Sequence, residues 1–307
     1  MMNQKVLPSN LDEVMNALEN GVRDFMETDA YKTYLRAVSR FHEYSTNNVM
    51  LIAMQKPDAT LVAGYNTWKK HFNRNVKRGE KGLRIIAPMP VTVEKEQDRI
   101  DQYGNTYKEK VQVTIPRFHA VTVFDVSQTE GDPLPDISPS DLKAEVSDYD
   151  NFLEALKQSS SVPILFEDIQ GGAKGFYNSA DNNIHIKKDM SQSQTTKTLI
   201  HEMAHSVLHN RDNGGVMLDA KTKEVQAESV AFSVCSHFGI DTSDYSFPYV
   251  TAWSGDKDLT ALKASMETIK DSAATLINDI EYNYIALTKE QPQDRSPDEK
   301  EKKGTER

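Results

Sequence analysis

The sequence predicts an α+β protein in two parts, helices with a small antiparallel sheet and then a second α+β unit rich in helix. Three observations predict it. Residues 11–55 carry apolar side chains at helical spacing, residues 83–126 alternate as strands do, and beyond a turn-rich stretch at 130–139 helical periodicity returns and runs to residue 287.

Ser9-Asn10-Leu11-Asp12-Glu13 reads as a helix start with acidic residues in the first turn, and Val14, Leu18, Val22, Phe25 and Met26 follow at helical spacing. A second helix begins near Thr28-Asp29 and passes through Tyr34, Leu35, Val38 and Phe41. Ser45-Thr46-Asn47-Asn48 caps a third, Val49 to Gln55, which Pro57 stops. Residues 61–72 hold a short apolar run, a break at Gly64 and an aromatic helix bearing Lys69 and Lys70. Lys77-Arg78-Gly79-Glu80-Lys81-Gly82 is a basic turn whose two glycines let the backbone approach a ligand closely. Strands are expected at Leu83 to Pro88 with Val91 to Val93, at Val111 to Ile115 and at His119 to Val126, with residues 96–110 as a polar hairpin tip.

Turn formers from Glu130 to Pro139 open a linker, 131–147, between a first domain at 1–130 and a second at 148–290; residues 291–307, almost without apolar side chains, form a disordered tail. In the second domain a helix is expected at Asp150 to Gln158 and a strand at Val162 to Phe166. A strand pair, Gly175 to Asn178 and Asn183 to Ile186, surrounds the Asp181-Asn182 turn, with Tyr177 and His185 read as ordinary sheet residues ahead of the alternative that they reach the cleft. Tyr245, Phe247, Pro248, Tyr249 and Trp253 form an aromatic segment that either covers a cleft or packs on the domain joint. A long helix, Leu259 to Leu287, presents Leu262, Met266, Ile269, Ala273, Leu276, Ile277 and Ile280 on one face for burial.

The chemistry concentrates in Thr198-Leu199-Ile200-His201-Glu202-Met203-Ala204-His205. Residues four apart share a helix face, so His201 and His205 form a chelate, while Glu202 flanks the metal as a general base toward water. Ser191, Ser193 and Thr195 are candidate caps for this helix, and Asn210 with Gly214-Gly215 signals its end. The next helix carries Glu224 and Glu228, four apart, beside an apolar face of Val225, Val230, Ala231, Val234 and Phe238. Carboxylates aimed at a neighbouring helix want a cation or imidazole N–H groups. Two histidines and one glutamate leave a zinc position open, the arrangement of a catalytic site and not a structural one. His209 continues the row by one turn but reads as a charge partner at the helix C-terminus.

Normal proportions of hydrophobic and charged residues, 38% and 27%, fit a globular chain long enough at 307 residues for two cores. No apolar run is long enough for a membrane helix, and Met1 to Asn10 has no signal pattern, so a cytoplasmic protein without a membrane partner is expected. The lone Cys235 excludes an internal disulfide and reads as a buried thiol. The net charge of −10 is unevenly placed: residues 1–135 hold 18 Lys and Arg against 17 Asp and Glu, and residues 136–307 hold 18 against 29. Between residues 64 and 90, Lys69, Lys70, Arg74, Lys77, Arg78, Lys81 and Arg84 face only Glu80. Beside Tyr65, Trp68 and Phe72, this surplus has the composition of a groove for single-stranded nucleic acid, with cations on phosphates and rings stacked on bases. A solvated basic face over a core containing Trp68 and Phe72 is the simpler reading from composition alone.

Two resemblances bear on these alternatives. The histidine and glutamate helices resemble the gluzincin metallopeptidases, whose third ligand is a glutamate on the helix after H-E-x-x-H. The resemblance implies Glu224 as ligand, Glu228 as the group holding the N–H of a ligating histidine, and one zinc ion; the reverse assignment, Glu228 on the metal, is the alternative. It also implies that the strand just before the histidine helix is the edge that aligns a peptide substrate. Thr46-Asn47-Asn48-Val49-Met50-Leu51-Ile52, Pro57-Asp58-Ala59-Thr60, Val62-Ala63-Gly64-Tyr65-Asn66-Thr67-Trp68, Val76-Lys77-Arg78-Gly79-Glu80-Lys81-Gly82, Ile85-Ile86-Ala87-Pro88 and Phe124-Asp125-Val126-Ser127-Gln128-Thr129 resemble the N-terminal domain of ArdC-type antirestriction proteins. That family joins a single-stranded-DNA-binding N-terminal domain to a zincin-like metallopeptidase domain and is carried by mobile elements. The resemblance implies DNA contacts from Tyr65, Trp68, Lys69, Lys70, Arg74, Lys77, Arg78, Lys81 and Arg84.

Three functions compete on these grounds. The first is an antirestriction-type protein that binds single-stranded DNA and carries a zinc metallopeptidase-like domain. The second is a metallopeptidase that cleaves a protein regulator, as ImmA/IrrE-like zincins do, without binding DNA. In the third the zinc is structural and the acidic C-terminal half acts as a DNA mimic.

Overall fold

The computed structural model describes residues 10–100, 102–103, 106–134, 148–210, 218–245, 250–255 and 257–289, together with Leu7 and Phe247. The expected tail at 291–307, most of the expected linker (135–147), the Gly214-Gly215 stop signal, and Pro248 and Tyr249 lie outside the described residues.

Three helices open the chain, α1 (Leu11–Val22), α2 (Thr28–Phe41) and α3 (Thr46–Gln55). Asn10 Oδ1 accepts the Asp12 N–H at 2.9 Å and Ser45 Oγ accepts that of Asn48 at 3.4 Å, so orphan donors of the first and third are satisfied by side chains. The first helix stops at Val22, short of the expected Met26. A 3₁₀ turn at Asp24–Met26 reverses the chain into α2 while keeping Phe25 and Met26 in the core.

The first sheet runs β1 (Val62–Gly64), β6 (Phe118–Asp125), β3 (Leu83–Pro88), all antiparallel, with α4 (Tyr65–His71) leaving directly from β1. A ribbon of β4 (Val91–Ile100) and β5 (Thr106–Ile115) projects from it, paired from Val91↔Ile115 to Ile100↔Thr106. The expected polar tip is therefore mostly strand. Its charges form diagonal cross-strand pairs, Lys110 with Glu94 at 2.7 Å, Arg99 with Glu109 at 2.9 Å and Lys108 with Glu96 at 3.2 Å, which read as loop when counted one by one. The expected linker starts late for a similar reason. Thr129–Gly131 is β7, paired with β2 (Arg74–Val76), and the Arg74 guanidinium donates to Thr129 Oγ1 at 2.8 Å and to the Thr129 and Gly131 carbonyls at 3.1 and 3.3 Å.

The second half begins with α5 (Tyr149–Gln158) and a sheet of β8 (Ile164–Glu167), β10 (Asn183–Lys187) and β9 (Gly175–Asn178), in that order. β10 is parallel to β8 and antiparallel to β9, so the strand just before the histidine helix is central and not the expected edge; β9 is the edge. Ile184 and Ile186 bury the inner face of β10 beneath α6 (Gln192–Leu208), which is followed by α7 (Ala220–His237), α8 (Val250–Gly255) and α9 (Leu259–Lys289).

The two halves share one hydrophobic core. α2 lies against α7 and α9: the fully buried Tyr31 and Tyr34 reach the Ser229 hydroxyl at 2.7 Å and the Met266 carbonyl at 3.1 Å. Tyr245, Phe247 and Trp253 are buried at this junction, with the Phe247 ring 5.2 Å from that of Tyr31 and the Trp253 indole N–H donated to Thr222 Oγ1 at 3.0 Å. Of the two roles expected for the aromatic segment, Phe247 and Trp253 pack the joint, while Tyr245 both packs there and lines the neighbouring cleft. The α9 stripe from Leu262 to Ile280 is buried in the same core, as is Cys235, whose thiol burial pushes up to about 12.

Candidate metal centre and basic surface

Helix α6 starts where Ser191 Oγ accepts the Gln194 N–H at 3.3 Å, and Leu199, Ile200, Met203 and Ala204 bury one side of it. His201 and His205 emerge on another side, one turn apart, with their Nε2 atoms 3.1 Å from each other. Helix α7 starts at Asp219, which accepts from the Thr222 N–H at 2.9 Å and the Thr222 hydroxyl at 2.6 Å, fixing the turn that carries Glu224. Glu224 stands 3.6 Å from His201 Nε2 and 3.5 Å from His205 Nε2. One donor atom from each of these three residues lies within 4.8 Å of the others, a grouping that suits a divalent metal.

Charge around this point follows from the geometry. Hydrogen bonds from His201 and then His205 hold the Glu224 carboxyl well below the usual glutamate range. Burial pulls His201 down, but Glu224, Glu202 and Glu228 together outweigh it and leave the imidazole raised. Glu228 lies 3.7 Å from His201 Nδ1, on the far side of the ring from Glu224, and burial raises its carboxyl. Glu202 points into the adjoining cleft; it is 7% exposed, burial raises it, and it accepts a hydrogen bond from the Tyr177 backbone on edge strand β9. The cleft, about 410 Å³, is lined by Gly175, Thr198, His201, Glu202, Glu228 and Tyr245 among others.

Comparison with known proteins gives this geometry a context. The family described as the N-terminal domain of anti-restriction factor ArdC matches residues 4–124. Residues 4–124 belong to that domain family. The fold agrees with a crystal structure of the antirestriction ArdC protein from the R388 plasmid in its Mn(II)-bound form, at a TM-score of 0.51 and 19% identity over 89% of this chain and 97% of that one. The uncharacterized protein pXO2-81 of Bacillus anthracis is 27% identical over 296 residues, covering 86% of this chain; the chain spans 50% of that relative's length. Among the described residues no helix is long and apolar enough to cross a membrane.

Within the matched residues 4–124, six of the nine residues expected to touch DNA are exposed, and one of these six, Lys77, also bonds within the fold. Tyr65, Lys69, Lys70, Lys77, Arg78 and Lys81 are exposed along α4 and the basic turn. Trp68 is not. Its ring is fully buried, 5.1 Å from that of Phe72, and its indole N–H is donated to the Phe124 carbonyl at 2.8 Å, so no face is left for a base to stack on. Arg74 is spent on β7, the Arg84 guanidinium donates to Thr122 Oγ1, and Lys77 Nζ donates to the Ser127 carbonyl at 2.9 Å. The two glycines of the turn also serve the fold. Gly79 has φ +90°, and a Cβ at Gly82 would collide with the Thr122 side chain and the Val123 carbonyl.

Sequence reasoning missed some of the side chains around the candidate metal centre. Lys197 lies one turn before His201 on the same helix face, a spacing that pointed to it, and donates to Asp244 Oδ1 at 2.7 Å within the cleft wall. His209 was read as a charge partner of the helix end, yet it is buried and lowered to about 4 by that burial, and it lies 2.9 Å from His205 Nδ1. Gln226, beyond it, carried no signal.

Proposed function

We propose that the chain is a single-stranded-DNA-binding antirestriction-type protein of a mobile element, with a metallopeptidase-like domain that holds one zinc ion through His201, His205 and Glu224. The observation carrying the metal half is the convergence of two imidazoles and one carboxylate from two helices on one point beside a cleft. A bound divalent ion supplies Lewis acidity there, polarising a peptide carbonyl and acidifying water. The Mn(II) bound to the structurally similar R388 ArdC protein supports a divalent ion, and the two-nitrogen, one-oxygen donor set suits zinc. Glu202, whose carboxyl burial raises and which lines the same cleft, would take a proton from water and pass it to a leaving amine. The edge strand β9 flanks the same cleft and suits an extended peptide added as a further strand.

DNA binding rests on the exposed cations of α4 and the basic turn together with the ArdC N-terminal domain. Anisotropy of a labelled oligothymidine tests it. Affinity is expected to fall steeply with salt, and the triple charge reversal Lys69→Glu, Lys70→Glu, Arg78→Glu to weaken binding at least about tenfold and flatten the log–log salt slope by about two. Salt-independent binding, or a triple variant that binds like the parent, refutes this half. The cleft and its edge strand also favour a second reading, cleavage of a protein regulator without DNA. Cleavage of a partner protein that survives the triple reversal but not Glu202→Gln selects it.

A further inference from the structure

Resting on the single-stranded-DNA reading, we propose that the outer face of the first sheet is where bases stack, with Phe118 in the stacking role that the buried Trp68 leaves unfilled. Side chains alternate along β6, so the buried Val123 and Asp125 turn into the protein while Phe118, Ala120, Thr122 and Phe124 share the opposite face. The register continues that face onto β3, with Pro88 beside Phe118, Ile86 beside Ala120 and Arg84 beside Thr122.

This face is aromatic at both ends and shallow between them. At one end Tyr65, 51% exposed, meets the Phe124 ring edge-on, 6.4 Å between centroids. At the other Phe118 is 55% exposed, and next to it Met89 donates its backbone N–H to the Arg117 carbonyl at 2.6 Å. Ala120 and Thr122 between them are small, and Gly82, lying against the Thr122 and Phe124 side chains, adds none of its own. Six residues of strand separate Phe124 from Phe118, about 20 Å. That length suits the roughly four nucleotides at the short end of single-strand grooves.

Phe118 and Met89, large apolar side chains exposed side by side, mark a surface that something covers. The surrounding charge selects what covers it. Exposed Lys81 and Arg117 flank the two ends, and Arg84 crosses the floor to Thr122 Oγ1. None of the side chains on this face of β3 and β6 is acidic, in a chain whose net charge is −10. A flat ring between cations fits an unpaired base whose phosphates lie to either side.

The test uses the full chain and labelled oligothymidine. Phe118→Ala is expected to weaken binding about 5- to 100-fold, the loss of one stacked base, at an unchanged salt slope because no cation is removed. An oligomer of abasic sites, which offers phosphates without bases, is expected to bind the parent and Phe118→Ala equally. Phe118→Trp is expected to keep the parental affinity, its indole fluorescence quenched by oligothymidine. Melting temperature reads folding alongside; should the alanine variant melt early, the tryptophan variant decides, and an unquenched indole overturns the proposal. So does a folded Phe118→Ala that binds oligothymidine like the parent, or one that loses the abasic oligomer as strongly as the thymidine one. If charge reversal still weakens binding in those cases, the DNA reading stands without this platform. A parent protein that binds no oligothymidine refutes both, and a self-association lost with Phe118 would make the face an interface between copies instead.

Discussion

Glu202→Gln is expected to lower hydrolysis of a fluorogenic peptide library about 10²- to 10⁴-fold while leaving metal content unchanged. Glu202 follows His201 in sequence but lines the cleft and accepts from the β9 backbone, outside the group of His201, His205 and Glu224, so removing its charge is expected to spare that group. The same substitution has an expected effect on stability of opposite sign. Burial raises the carboxyl, so as pH climbs above the ordinary glutamate value the unfolded chain ionises more readily than the folded one, and folding stability is lost. Glutamine removes that loss, and the metal-free variant should melt at or above the parent at neutral pH. Thermal melting and metal content measured together check both signs. Full hydrolysis by the glutamine variant excludes the general base.

Trp68→Ala is expected to destabilise the protein by about 3–5 kcal/mol. The fully buried indole fills the space between α4 and the first sheet, and its loss also strips the Phe124 carbonyl of a buried donor. Urea unfolding reads this as a lower midpoint at an unchanged slope. A tryptophan that instead stacked on bases would leave the midpoint alone and weaken DNA binding in the folded variant; that outcome contradicts the core role.

These two residues mark how far the sequence was legible. The helix faces were readable because one period, 3.6, fixes both burial and the meeting of residues four apart; His201, His205, Glu224 and Glu228 fall together as that spacing and the gluzincin resemblance imply. Strand order was not, since β10 precedes α6 in the chain yet lies between β8 and β9 in space, and adjacency in sequence does not reveal an edge. Nor does composition distinguish a base-stacking tryptophan from a core one. Trp68 sits among lysines because α4 is amphipathic, with Lys69 and Lys70 turned to solvent. Arg74 and Arg84 show a related limit: a guanidinium that donates to backbone carbonyls or a threonine looks, in sequence, the same as one that awaits a phosphate.

Metal analysis of the parent protein beside Glu224→Ala and Glu228→Ala, purified side by side, reaches the centre of the account. One equivalent of divalent metal is expected in the parent. None is expected in Glu224→Ala, because a ligand is worth roughly 3–5 kcal/mol of a site's binding energy, a loss of a hundredfold or more. Glu228→Ala should keep its metal with weakened affinity, since Glu228 faces the outer nitrogen of His201. Metal retained without Glu224 and lost without Glu228 would contradict the assignment, and a parent protein that binds none would remove the metal centre altogether.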